Sequence, residues 1–401
     1  MQIGAEGIDC VAVASERGGL YIHIAYCRKK CIYCDFFSAG DRIADWHGYV
    51  DALCSEFKER IKEIACPLRT VYIGGGTPSL MPEEEFLRLC DFIKPYIGDV
   101  EEFTLEVNPD DVNEHILRVW KKGGINRLSM GIQTFDDDTL RSIGRRHTSK
   151  EALEAYRLAR NIFTNVSIDL MFGLPGQTIE RWRNDLQTAI SLHPEHISAY
   201  SLMYEEGTAL TVLRDTGRLI EPSEDIVEQM FLLLIDELKR AGYDHYETSN
   251  FALPGYRSRH NSSYWLQQPY LGLGPSAHSY DGERIRKANR ADLRGYIEYW
   301  TSPHSKEKGS IPFYEMERLS FGELIEEYVM TRMRMKEGIP LEDFRVRFGE
   351  SAYAKLKANC NPLLERGALV SIGNNIFISE HEILISDSII IDMLIDDFTN
   401  I

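Results

Sequence analysis

Apolar and polar positions alternate along this chain in two rhythms. Between residues 20 and 204, six short apolar, β-branched runs each end in a polar or glycine-rich turn: 20–26, 70–73, 102–107, 127–132, 166–172 and 196–203. Amphipathic stretches of helical period separate them, at 46–63, 82–97, 112–122, 150–161 and 178–191. Strands alternating with helices predict an α/β fold, with a parallel sheet and helical crossovers. Six units fit a partial (β/α)6, TIM-like barrel, in which chemistry gathers at the carboxyl ends of the strands.

The rhythm then changes. An amphipathic helix is expected over 223–242, a short run over 243–251, and a turn at Pro254-Gly255. A long helix is expected within 311–336, and two more over 341–348 and 351–366. Two strand-like runs around Val370 and Phe377, joined at Gly373-Asn374-Asn375, predict a hairpin. Helices followed by a small hairpin predict an α+β, winged-helix-like C-terminal domain. The expected organisation is an N-terminal extension at 1–19, the partial barrel at 20–245, a connecting region at 246–310 and the C-terminal domain at 311–401.

Composition narrows the class. The chain has 401 residues and a hydrophobic fraction of 43%, ordinary for a globular protein with a real core. No apolar run approaches the roughly 20 residues that span a bilayer. Residues 1–18 lack a basic start and an apolar stretch, so no signal or transit peptide is expected and the expected compartment is the cytoplasm. The formal net charge of −17 disfavours a phosphate backbone as partner.

The densest candidate chemistry follows the first run. Cys27, Cys31 and Cys34 stand at C-x3-C-x2-C spacing. Three thiolates this close can hold three corners of an iron–sulfur cube, leaving one iron open to a small ligand. Zinc is the competing reading, with His23 or His47 as fourth ligand. Its sites usually come as two separated pairs, so the spacing disfavours it. Cys10, Cys54, Cys66, Cys90 and Cys360 show no ligand spacing and read as ordinary thiols.

Further candidates fall at the ends of the other runs. Gly74-Gly75-Gly76-Thr77 either lets a ligand approach bare backbone or is a tight turn. Glu106 is either a ligand's partner or a solvated carboxylate. Gln133 suits a ribose or a carboxylate. Arg145 either pairs with a carboxylate or lies on the surface. Asp169, inside an apolar run, needs a ligand or a fixed partner. Met203 is core or the wall of a nucleotide pocket. Later come His260-Asn261-Ser-Ser-Tyr264-Trp265 and a run from Tyr270 through Gly272, Gly274 and His278 to Tyr280. The imidazole and aromatics of the first segment either hold heme, by axial ligation and stacking, or fill a junction between domains.

Together these residues resemble the radical S-adenosylmethionine (SAM) superfamily, in its coproporphyrinogen III oxidase-like branch, from about Gly18 onward. Within that branch the chain is most similar to the HemW group of heme chaperones. Oxidases of the branch carry a fourth cysteine where this chain has Phe36, and a longer arm before the first cysteine. Here 26 residues precede Cys27. The chain departs from the family at Ala25 and Tyr26, where proline and phenylalanine are usual. The resemblance implies a [4Fe–4S] cluster on Cys27, Cys31 and Cys34. It implies a SAM site lined by Tyr21, Tyr33, Gly75, Gly76, Thr77, Glu106, Gln133, Arg145 and Asp169. It assigns heme handling to His260, Asn261, Tyr264 and Trp265. The implied function is heme binding and delivery to an acceptor protein, with flavodoxin or ferredoxin as a candidate electron donor. Oxygen-independent coproporphyrinogen III oxidation is the alternative. Neither nucleic acid nor a membrane span is expected.

Overall fold

The computed structural model describes residues 17–41, 44–302, 311–394 and 398. The start of the chain, including Cys10 and nearly all of the expected extension at 1–19, lies outside them. The first strand begins at Gly18, so Gly18 and Gly19 belong to the sheet.

Numbered along the chain, the strands are β1 (Gly18–Ile24), β2 (Tyr26–Cys27), β3 (Ala39–Gly40), β4 (Leu68–Gly75), β5 (Glu102–Val107), β6 (Arg127–Gln133), β7 (Val166–Phe172), β8 (His196–Ser201), β9 (Asp244–Glu247), β10 (Asn250–Ala252), β11 (Tyr270–Leu273), β12 (His278–Tyr280), β13 (Ile285–Asn289), β14 (Tyr314–Arg318), β15 (Ile339–Pro340), β16 (Leu369–Ile372) and β17 (Asn375–Ile378). The six expected runs become β1 and β4 to β8, all parallel neighbours. They form the middle of one twelve-stranded sheet of order β14-β13-β12-β11-β1-β4-β5-β6-β7-β8-β10-β9. The sheet is open: β14 and β9 do not pair with each other.

Side chains alternate along each strand, and the two faces differ in kind. One row of cross-strand partners runs Leu20–Val71–Phe103, and another Met130–Ile168–Ile197. These fully apolar rows enter the main core with the helices Trp46–Arg60, Glu83–Ile97, Glu114–Gly123, Ser149–Arg160, Ile179–Ser191 and Glu224–Arg240. The opposite face is polar: Tyr21–Tyr72–Thr104–Arg127, and Gly131–Asp169–Ser198. The helix expected from 178 begins one residue later because Thr178 is its cap, whereas the one expected from 150 already begins at Ser149. Thr178 and Thr148 each lend a side-chain oxygen to a backbone N–H of the first turn.

Beyond the sixth unit the sheet continues through 246–310. β11 adds parallel to β1, and β12 and β13 follow as a meander. The helix expected within 311–336 is shorter. It occupies Phe321–Arg332, with a Ser320–Glu323 capping box at its start, and 314–318 is instead the strand β14 beside β13. The free edge of β13 supplies ladder partners that an isolated reading of 311–318 does not reveal. The two later helices appear as one stretch, Leu341–Glu365, broken at Gly349, whose φ is +86°. The hairpin forms as β16 and β17 around Gly373-Asn374, and β15 pairs with β17 to give a three-stranded wing. This end has its own core of Leu324, Ile325, Phe344, Leu356 and Ile389. No described helix is long and apolar enough to cross a membrane.

Candidate functional site

The polar face of the sheet runs up to the cysteine loop. β2 and β3 pair across that loop, Tyr26 with Ala39 and Cys27 with Gly40, closing it at its base. Its far side is pinned by Ile32, whose N–H reaches the Ile143 carbonyl and whose carbonyl accepts from Leu210 N–H. Cys27, Cys31 and Cys34 are all free thiols. Among the described residues no three His, Cys, Asp or Glu converge tightly enough for a single metal ion. Burial raises the Cys34 thiol to about 11, and the neighbouring Cys31 and Cys27 push the same way.

Gly76 brings the second strand's turn against this loop. Its N–H donates to the Ile24 carbonyl at 2.7 Å, and that of Thr77 to the Tyr26 carbonyl at 2.8 Å. A Cβ on Gly76 would meet both carbonyl oxygens at 2.7 Å and the Cys27 Sγ at 3.2 Å. Only glycine allows this approach. Thr77 Oγ1 lies 3.3 Å from Cys27 Sγ. Gly75 N–H donates to Glu106 Oε2 at 3.0 Å, and Tyr72 Oη donates to Oε1 at 2.7 Å. Burial lifts the Glu106 carboxyl to about 7, against these two donors.

Arg145 links the remaining parts. It donates to Cys31 Sγ at 3.7 Å, to Asn108 Oδ1 at 2.7 Å and to the Gly131 carbonyl, while its Nε is buried without a hydrogen-bond partner. Tyr33, beside Arg145 and Cys31, is held protonated by burial first of all. Gln133 stands at φ +72°, an uncommon conformation for a residue with a side chain. Asp169 accepts from Ser129 Oγ at 3.0 and 3.1 Å, and burial raises its carboxyl. Tyr21 Oη donates to His23 Nδ1 at 3.0 Å, which leaves His23 Nε2–H for the Phe37 carbonyl at 2.8 Å. Met203 does not belong to the core, being 67% exposed.

His260 is enclosed by its neighbours. Its ring is 1% exposed, it lies against Tyr72 at 5.1 Å, and both nitrogens are engaged: Nδ1 with Thr70 Oγ1 and Nε2 with Tyr264 Oη, each at 2.8 Å. Burial lowers it to about 3. It fills the junction between the first strands and the helix Arg259–Trp265. Tyr264 and Trp265, by contrast, line a cavity of about 530 Å³ together with Tyr21, His23 and Phe36. Asn261 sits in the first turn of the helix Arg259–Trp265, its N–H held by the Ser258 cap. Three contributors went unnoticed in the sequence: Tyr72, Asn108 and Ser129. Tyr72 and Ser129 lie on the polar side of their strands, and period-2 alternation in register with Tyr21 and Asp169 was the available signal.

The comparisons with known proteins agree with this geometry. The family model of the radical SAM superfamily matches residues 21–189, and that of the HemN C-terminal domain matches 319–385. The heme chaperone HemW of Bacillus subtilis is 35% identical over 92% of this chain and 97% of its own length. HemW of Escherichia coli is 32% identical over 92% and 96%. The chain belongs to the HemW family of radical SAM proteins. A zebrafish (Danio rerio) member of the superfamily, the mitochondrial radical S-adenosyl methionine domain-containing protein 1, is 31% identical over 86% of this chain and 81% of its own. The solved structure of coproporphyrinogen III oxidase (HemN) from Escherichia coli superposes with a TM-score of 0.80 at 22% identity, covering 96% of this chain and 91% of that one, and shows a shared fold.

Membership of the superfamily implies a [4Fe–4S] cluster and SAM. The residues present fit both: three free thiols in a closed loop, a glycine cradle against Cys27, a carboxyl at the strand end, and a buried guanidinium nitrogen still lacking an acceptor. When bound, the pair would supply one-electron chemistry beside these residues.

Proposed function

We propose that this chain binds heme and passes it to an acceptor protein, with the cluster and SAM on the adjoining polar face of the sheet. The observation that carries the reading is the cavity shared by three parts of the molecule. β1 gives Tyr21 and His23, the end of the cysteine loop gives Asp35 to Phe37, and the motif helix gives Tyr264 and Trp265. Cys27, Cys31 and Cys34 would hold the cluster. Glu106 would meet the ammonium of SAM, and Arg145 its carboxylate. Tyr33, Gly75, Gly76, Thr77, Gln133 and Asp169 would complete that site. Relatives named as heme chaperones support the reading across nearly the whole chain.

The second reading is oxidative decarboxylation of coproporphyrinogen III, favoured by the shared fold with HemN. Phe36, in the place of that enzyme group's fourth cysteine, speaks against it. The deciding experiment reconstitutes the full chain anaerobically, loads it with heme and mixes it with an apo-heme protein. The expected result is a Soret shift on loading and transfer of the band to the acceptor. Formation of protoporphyrinogen IX from coproporphyrinogen III, without heme transfer, would replace the carrier with the oxidase.

A further inference from the structure

Two of the described arginines are almost wholly buried, and their surroundings differ. Arg60 reaches Glu56 at 2.7 Å and Glu63 at 3.2 Å. Arg127, the first residue of β6, is 1% exposed, yet among the described residues it forms no ion pair. Its Nη1 donates one long hydrogen bond, to Thr104 Oγ1 at 3.5 Å, and its Nε has no partner. A guanidinium shut away from water is costly without a countercharge. The charge of Arg127 must therefore be balanced by groups that do not touch it.

The strand register shows which groups those are. Thr104 is the cross-strand partner of Arg127, and one pleat further along the same face Glu106 is the partner of Ser129. Ser129 Oγ donates to both Asp169 oxygens, at 3.0 and 3.1 Å. Ser129 thus stands between two carboxyls, with Arg127 roughly 7 Å before it on the same side of β6. At Asp169, burial raises the carboxyl, and the charge of Arg127 opposes that rise ahead of the serine hydroxyls. At Glu106, burial raises the carboxyl, Asp169 adds to the rise, and Arg127 joins Tyr72 and Gly75 in opposing it. Of the other titratable groups facing this part of the sheet, Tyr21, Tyr72, Tyr200, Tyr246 and Tyr264 keep their protons. Burial lowers His260 to about 3 and holds His196 well below its ordinary value. Glu102 is engaged by the N–H groups of Arg259 and His260, and Arg145 by Asn108 and the Gly131 carbonyl.

We propose that Arg127 is the fixed countercharge of the Glu106–Asp169 pair, keeping one carboxyl ionised in the ligand-free site so that the other can exchange a proton for the ammonium of SAM. The proposal rests on the reading of Glu106 as the partner of that ammonium and adds a residue to it. Arg127 is a positioning residue. It opens β6 while Gln133 closes it, so its cation stays off the ligand and acts on the pair from behind. A cation in contact with SAM would repel the ammonium and the sulfonium. A cation behind two carboxyls leaves room for one further positive charge. The two carboxyls share Ser129 as neighbour and titrate as a unit, so the loss of Arg127 raises the pH at which the pair gives up its protons.

The test titrates SAM calorimetrically into the anaerobically reconstituted full-length protein between pH 6 and 9, with the parent, Arg127→Met and Arg127→Lys side by side. In Arg127→Met the pH at which SAM affinity stops rising should move up by about one unit, and affinity at pH 7 should fall about tenfold. Arg127→Lys restores the charge and should return that midpoint to the parent's. Iron content and melting, read on the same samples, show that each variant is folded and loaded. Arg127→Gln, which keeps a donor for Thr104, replaces Arg127→Met if that variant does not fold. An unmoved midpoint in the uncharged variant, or one moved equally in Arg127→Lys, would overturn the proposal and leave the SAM site standing. Parent-like SAM binding by Glu106→Gln would overturn the reading of that site as well.

Discussion

Glu106 accepts from Tyr72 Oη and Gly75 N–H, yet its carboxyl stands near 7 because burial outweighs both donors. If it receives the ammonium of SAM, it does so as a carboxylate. Affinity for SAM should therefore fall as pH drops below 7, by up to about tenfold per unit. Calorimetric titration with SAM between pH 6 and 8 should show this slope, with a proton released on binding. Glu106→Gln should bind weakly and without the slope. For the ligand-free fold the sign reverses. A raised carboxyl favours the fold while protonated, so its contribution is present at low pH and lost as pH rises from about 4.5 to 7. At this scale the cysteine trio, the glycine turn, Glu106 and Arg145 were legible because their types and spacings are chemistry-bearing. The setting of His260 was not legible, because a histidine flanked by aromatics reads the same whether it faces a ligand or Thr70. Burial is a property of the third dimension.

The strands and crossover helices were legible as elements because their periods are clear and their caps conventional. The strand β14 was not, since its partner is β13 rather than anything nearby in the chain. A buried charge network joins these late strands to the first helix. Glu56 pairs with Arg60 at 2.7 Å and accepts from Gly274 N–H, Asn289 and Tyr296, while Arg60 donates to Ser279 Oγ at 3.0 Å. Both side chains of the pair are almost wholly buried. Removing Arg60 leaves the buried Glu56 without its countercharge, at a cost of about 3–5 kcal/mol, whereas Arg60 keeps Glu63 at 3.2 Å if Glu56 is removed. Arg60→Ala should thus lower stability by that order in chemical denaturation, and Glu56→Ala by less.

Across the whole molecule, the sheet joins the cluster loop, the polar face and the cavity wall into one continuous body. Its acidic surface, with formal net charge −17, predicts no retardation of transfer RNA by this protein in gel-shift assays at 150 mM salt. A tight, salt-sensitive shift would bring a nucleic-acid role back. The extension of the sheet past β1 was not legible, because the strands β11 to β14 that form it are short and carry ordinary loop residues between them.

An open sheet also has two rims, and each presents backbone groups to which another chain could add a strand. The two are protected differently. β9 is bridged at Glu247 by Met335, whereas β14 is mostly exposed and carries Glu315, Glu317 and Arg318 in its five residues. Charge guards one rim and covering guards the other, so copies of this protein have no ready seam along which to fuse into aggregates.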